Sequence, residues 1–274
     1  MAKNRIERDE LASKLVEMTQ GSEDPLRSMA EMITDFLMEA EVTADERVES
    51  MAVVIATGVN LQGRREVLGF DVLPTESEEG WTQFLKTLQE RGLHGVRLAV
   101  SDAHAGLKAA VGKVLKAEWQ RCKVHFYRNV LVDVTKRSQA EVSEAMKAVF
   151  VQRDEASAKQ KAEEVIEKFR ARFARAMEVF EAGIDNVLSY LHYPAPHRTR
   201  VSSTNPPERL NKEIRRRTRV VGIFPHTGAC LRLIGMLLVE KHEDWLTDEK
   251  AYLTFDDAPA EEPAPKLVSM AASQ

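Results

Sequence analysis

Apolar and polar positions follow two different periods along this chain. Ile6, Leu11, Leu15, Val16 and Met18 suit a short helix ended by Gly21, and Ser22-Glu23-Asp24-Pro25 then reads as a helix start. Leu26, Met29, Ile33, Phe36 and Leu37 follow at helical spacing, so a second helix with one packed face is predicted. From Met51 the period shortens. The runs MAVVIATGV and REVLGFDVL, separated by turn residues Asn60 to Gly63, predict a β-hairpin. Helical spacing returns over 76–91 (Trp81, Phe84, Leu85, Leu88), and Gly92 closes it. GVRLAVSD then predicts a third strand, 107–115 a helix, and the stretch around 119–124 a fourth strand.

From Tyr127 to Leu191 the chain is nearly free of Gly and Pro, with helical periodicity in Val165, Phe169, Phe173, Met177 and Phe180. It predicts an all-helical block. Further helices are expected over 208–219 and 227–245. Strands interleaved with covering helices indicate an α/β core with a mixed sheet. The end, DDAPAEEPAPKLVSMAASQ, has the composition of a disordered acidic tail.

Composition narrows the function classes. The 274 residues are 43% hydrophobic and 30% charged, enough for a sizeable core. No stretch approaches the roughly 18 consecutive apolar residues of a spanning helix, so no membrane association and a cytoplasmic location are expected. Two cysteines, Cys122 and Cys230, are too few for a disulfide framework or a four-cysteine zinc site. The net charge of −4 hides a gradient: residues 1–49 carry −7 and 256–274 carry −3, leaving +6 on 50–255. A basic body between acidic ends is compatible with a polyanionic partner without demanding one.

Several residues could carry chemistry. Asp102 stands where the strand Val96–Val100 gives way to a helix, the end of a strand at which α/β proteins place ligands; it equally suits a helix cap. Glu208 follows Asn205 and Pro206, a pair that reads as N-cap and first helical position, so a capping box competes with any chemical role. Glu213 lies about 140° round the helix from Glu208, so the two do not serve one ion directly. From Arg198 to Arg219 there are eight Arg or Lys against two Glu. Such a run is either a solvated face or a phosphate contact. Cys122 and His125 could offer two metal ligands, too few for zinc, and structural packing is the competing reading. His192, His197 and His226 have no metal-ligand spacing and are assigned nothing.

Four strings in order, GVNLQGRREVLGFDVLPTES, GVRLAVSDAHAGLKAAV, WQRCKVHFYRNVL and SSTNPPERLNKEIRRRTRVVGIFP, resemble the Mutator-type transposases of bacterial insertion sequences, over about Arg47 to Leu253. The segment from Leu26 to Val42 is similar to part of that family's N-terminal region. The resemblance implies an RNase H-like mixed sheet interrupted by a helical insertion, preceded by N-terminal helices. It implies a DDE mechanism, in which two Asp and one Glu hold two divalent ions, Mg2+ or Mn2+, for DNA cleavage and strand transfer. Asp102 matches the second Asp, Glu208 the Glu, and Cys122 and His125 the Cys-x-x-His signature beside the active site. Arg209, Lys212, Arg215, Arg216, Arg217 and Arg219 are then candidates for DNA contact, with element ends and target DNA as partners, a homo-oligomer as the assembly, and the nucleoid as the location.

The chain also departs from the pattern. In the family the first Asp lies on an opening strand just upstream of the hairpin, whereas the helical spacing of Leu26–Leu37 leaves no such strand. A segment between Val42 and Arg47 reads as deleted. Asp35 stands at a plausible distance but within the helical pattern. The expectation is an insertion-element transposase impaired by loss of its first Asp, or alternatively a non-catalytic DNA-binding remnant that assembles with full-length transposase. Its expected parts are an N-terminal helical segment (1–45), the first part of the catalytic domain (46–126), a helical insertion (127–200), the C-terminal part with the basic helix (201–255) and the acidic tail (256–274).

Overall fold

The computed structural model describes residues 29–44, 47–248 and 250–254. The expected first helix and the acidic tail lie outside them. Five strands form one sheet in the order β3-β2-β1-β4-β5. They are β1 (Met29–Ala44), β2 (Arg47–Asn60), β3 (Arg65–Leu73), β4 (Leu98–Ser101) and β5 (Glu118–Arg121). The first three run antiparallel to one another, while β4 pairs parallel with β1 and with β5.

β1 corrects two expectations. The helical spacing of Leu26 to Leu37 does not give a helix, because the chain from Met29 to Ala44 pairs on both edges. It meets β2 from Met29–Asn60 to Ala44–Arg47, and β4 from Glu31–Leu98 to Ile33–Val100. Two ladders of backbone hydrogen bonds hold the segment extended whatever its local propensity. The strand expected to be missing from the centre of the sheet is therefore present, and Asp35 lies on it opposite Ile55.

The period-2 pattern of β2 sorts its side chains between two layers. Ala52, Val54 and Ala56 pack with Trp81, Phe84, Leu85 and Leu88 of α1 (Glu78–Glu90). Met51, Val53 and Ile55 face the opposite layer, with Leu210, Ile214, Ile234 and Leu238. α2 (Ala105–Ala110), continued by a wider turn over Val111–Leu115, joins α1 on the first face. β5 stops at Arg121, earlier than expected, because Lys123 already begins α3 (Lys123–Val132). α4 (Gln139–Phe150), α5 (Glu155–Arg170) and α6 (Ala174–Gly183) follow. They build the helical block around Phe126, Phe169 and Phe180, and this block also covers Leu98 and Val100 of β4. α7 (Ala195–Val201) leads to α8 (Asn205–Val221) and α9 (Thr227–Thr247). Among the described residues no helix is long and apolar enough to cross a membrane.

α8 is pinned at its far end by Phe224. Its N–H donates to Glu41 O (2.9 Å) and its carbonyl accepts from Thr43 N–H (2.9 Å), which ties the turn after α8 to β1. Phe224 itself is buried.

Candidate functional site

Asp102 follows β4 directly. It does not cap the next helix: His104 does, its Nδ1 accepting from Leu107 N–H at 3.2 Å. The Asp102 carboxylate instead accepts from its neighbour Ala103 N–H through Oδ1 (2.7 Å), and its side chain is about half exposed (48%). Oδ2 lies 4.0 Å from His125 Nδ1 on the first turn of α3. Arg121 is the nearby cation: burial lowers its pKa, while Asp102 and Cys122 favour its charged form.

Cys122 joins the pieces. Its N–H donates to Ser101 O (2.7 Å), beside Asp102, so β4 and the start of α3 are fixed together. Its thiol is fully buried, and Sγ accepts from both Thr204 N–H (3.4 Å) and Thr204 Oγ1 (3.2 Å). Lys123 N–H donates to Ser202 O at 2.9 Å. Burial pushes the Cys122 thiol up, but hydrogen bonds from His125 and Thr204 outweigh it and hold its pKa below the usual value. A sulfur so engaged is a clamp between β5 and α8 rather than a metal ligand.

Thr204 is also where the reading of the helix start needs correction. The cap is Thr204, not Asn205, and it makes no side-chain cap bond because its hydroxyl goes to Cys122. Asn205 becomes the first helical residue, and Glu208 the fourth. The four residues from Thr204 to Glu208 rise about 6 Å along the axis. Asp102 and Glu208, 106 positions apart in sequence, thus sit on segments joined through Ser101, Cys122 and Thr204. The side chains of 205–209, Glu208 and Arg209 included, lie outside the described residues, as does that of Asp35. Among the described residues no three His, Cys, Asp or Glu are grouped so as to hold a metal.

The basic run sorts into two faces. Leu210, Asn211, Ile214 and Thr218 are buried, while Lys212, Arg215, Arg216, Arg217 and Arg219 are exposed. At about 100° per residue, positions 208, 212, 215 and 219 fall within about 60° of one another, forming one row. Arg216 and Arg217 stand on the neighbouring face and share Glu213. Its Oε1 accepts from Arg216 Nη2 (2.7 Å) and Arg217 Nε (3.0 Å), and its Oε2 from Arg216 Nε (3.0 Å). Those bonds hold the Glu213 carboxyl at about 2. Composition does not separate the three consecutive arginines, but the i+3 and i+4 spacing of Arg216 and Arg217 from Glu213, present in the sequence, is the signal that does.

All three histidines set aside in the sequence have partners, His197 meeting Thr254 O through Nε2 at 2.7 Å. His192 lies between Glu118 Oε1 (Nδ1, 3.0 Å) and Glu155 Oε2 (Nε2, 2.9 Å), and His226 caps α9 through Nδ1 to Ala229 N–H (3.1 Å).

Residues 26–248 match the family described as "Transposase, Mutator family". The chain is 40% identical over 235 residues to the transposase for insertion sequence element ISRM5 of Rhizobium meliloti, covering 84% of this chain and 59% of that protein. It is 38% identical over 236 residues to the transposase for IS406 of Burkholderia multivorans, covering 85% and 60%. With the transposase for IS256 in transposon Tn4001 of Staphylococcus aureus it shares 36% identity over 228 residues, covering 82% and 58%. The chain thus spans about three-fifths of the length of these relatives.

Proposed function

Because this chain belongs to the Mutator family of transposases, we propose that it acts on the DNA of an insertion element through a DDE-type site built on Asp102 and Glu208. The observation that carries this reading is the Cys122 clamp. It ties the end of β4, where Asp102 stands, to the start of α8, where Glu208 stands. The sheet order, with three antiparallel strands followed by two parallel ones, supports an RNase H-like core, and the helices between β5 and α8 support the reading of an insertion.

The donor chemistry suits a hard divalent ion such as Mg2+ or Mn2+. Asp102 offers a half-exposed carboxylate oxygen, while the soft sulfur of Cys122 is turned to Thr204. Asp102 and Glu208 are the residues that would hold the metal; when bound, it would activate a water or a 3′-hydroxyl and stabilise the leaving oxygen. His125, with Nδ1 4.0 Å from Asp102 Oδ2, adds positive charge beside that carboxylate when protonated. Lys212, Arg215 and Arg219 lead away from position 208 along one row and hold the phosphates of the strand being cut.

Since β1 fills the central strand position, the expectation of weak cleavage now rests only on Asp35 not serving as the first Asp. Asp35 is the position at which that expectation can fail. It lies on β1 two residues beyond Ile33, as Asp102 lies two beyond Val100, and Ile33 pairs with Val100. A nicking and strand-transfer assay on oligonucleotide element ends with Mg2+ or Mn2+ tests it. Slow cleavage, lost in Asp102→Asn and unchanged in Asp35→Asn, fits. Robust cleavage abolished by Asp35→Asn makes Asp35 the third carboxylate and removes the impairment. A second reading, a non-catalytic DNA-binding protein that assembles with full-length transposase, is favoured by the cationic row, which needs no metal. Metal-independent DNA binding, with suppression of a full-length relative's activity, would select it.

A further inference from the structure

α8 and α9 enclose a cleft of about 580 Å3 on the side of α8 away from the Lys212–Arg215–Arg219 row. Arg65 and Arg200 reach it from β3 and α7, and Trp245 and Tyr252 supply its aromatic wall. The two guanidiniums stand over the same ring: Arg65 is 4.9 Å and Arg200 4.8 Å from the Tyr252 centroid. Arg65 also lies 4.8 Å over Trp245.

Four cations, Arg65, Arg200, Arg217 and Lys241, and three acids, Glu213, Glu240 and Asp244, line the cleft, and the cations are unequally paired. Lys241 pairs with Asp244 at 2.9 Å and Arg217 with Glu213 at 3.0 Å. Arg65 reaches Asp248 only at 3.9 Å, and the nearby Arg200 charge opposes its own. Two like charges held against one ring are relieved by an anion that bridges them. The arrangement is fixed in advance. Tyr252 and Leu253 donate their N–H groups to Gly63 O (2.7 and 3.1 Å), and His197 Nε2 meets Thr254 O at 2.7 Å. Gly63 has φ +76°, and a Cβ there would collide with Leu253 O, so this strap closes only over glycine.

We propose that this cleft binds a nucleoside phosphate, with Arg65 and Arg200 on the phosphate and the base stacked on the guanidinium and aromatic wall. The volume falls within the roughly 300–1,000 Å3 of small-molecule pockets, and guanidinium planes and aromatic rings are the usual platforms for unpaired bases. The unit is either a free nucleotide or one nucleotide of an unpaired DNA strand. This goes beyond the proposed active site, since the cleft lies on another face of α8 and uses neither Asp102 nor Glu208.

The test is titration of the full chain with thymidine 5′-monophosphate, thymidine and a single-stranded thymidine decamer, read by calorimetry. The monophosphate is expected to bind at least about tenfold more tightly than thymidine, since a charge-assisted bidentate contact separates them. Arg200→Gln should remove that advantage, and Arg200→Lys should restore only part of it. Arg200 is exposed, so the substitution leaves the fold intact. A decamer that binds more tightly than the monophosphate and loses that gain in Arg200→Gln identifies the DNA strand as the source; a decamer whose binding is indifferent to Arg200→Gln identifies the free nucleotide. In either case Arg215→Gln, which tests the active-site row, should leave monophosphate binding unchanged. Equal binding of thymidine and its monophosphate, or monophosphate binding indifferent to Arg200→Gln, overturns the proposal.

Discussion

The buried sulfur of Cys122 accepts both the N–H and the hydroxyl of Thr204, at 3.4 and 3.2 Å, across 82 positions of sequence. One residue thereby sets the distance between the strand end that presents Asp102 and the helix that carries Glu208. Thr204→Val keeps the shape but removes the hydroxyl donor. Sγ keeps the Thr204 N–H, so the loss is that of one hydrogen bond, about 0.5–1.5 kcal/mol. The variant is expected to lose about that much stability in urea denaturation and to lose more cleavage than DNA affinity.

The basic helix gives a second expectation, readable in salt. Each phosphate neutralised adds roughly 0.9 to the slope of log affinity against log salt concentration. Lys212→Gln, Arg215→Gln and Arg219→Gln should each reduce that slope for duplex DNA by about one. Arg216→Gln should change it far less, because Arg216 is held by Glu213. A larger loss from Arg216 than from Arg215 would reverse the assignment of the two faces.

Much of this arrangement is legible in the sequence, and the failures have physical causes. The alternation of Ala52, Val54 and Ala56 against Met51, Val53 and Ile55 is visible locally, and the two layers of the structure follow it. The helices at Glu78–Glu90, Asn205–Val221 and Thr227–Thr247 also follow from apolar spacing. β1 does not, because Met29, Ile33 and Phe36 suit a helix until two neighbouring strands pair with the segment. The cap of α8 moves from Asn205 to Thr204 because of a thiol that local pattern cannot bring near. Asp102 is likewise released from capping only because His104 takes that task.

His192 supplies a pH dependence. Both ring nitrogens face carboxylate oxygens, so the protonated ring can donate to both at once. Its hydrogen bonds to Glu155 and Glu118 accordingly raise its pKa. The folded value lies above the unfolded one, so this contribution is complete below the ordinary histidine range and fades as pH rises through the folded value. Because the site is half exposed the effect is small. Thermal unfolding should show His192→Gln closest to wild type at alkaline pH and least stable, relative to it, at acidic pH.

Glu66 supplies the opposite case. It is buried on β3; burial pushes its carboxyl up to about 7, and the bond from Asn60 Nδ2 at 2.5 Å offsets this only in part. The folded state therefore holds a proton that the unfolded chain releases near pH 4.5, and stability falls between that value and about 7. Glu66→Gln should be close to neutral at pH 4 and should stabilise the protein above pH 7 by up to about 2–3 kcal/mol, measured by urea denaturation at both values.

That Asp102 and Glu208 grip one divalent ion is tested most directly by Mn2+ affinity, measured by electron paramagnetic resonance. Asp102→Asn and Glu208→Gln should each weaken Mn2+ binding strongly, and the double variant should lose little more than either alone, as for two ligands of one site. Losses that simply add, or an affinity unchanged by either substitution, would contradict it.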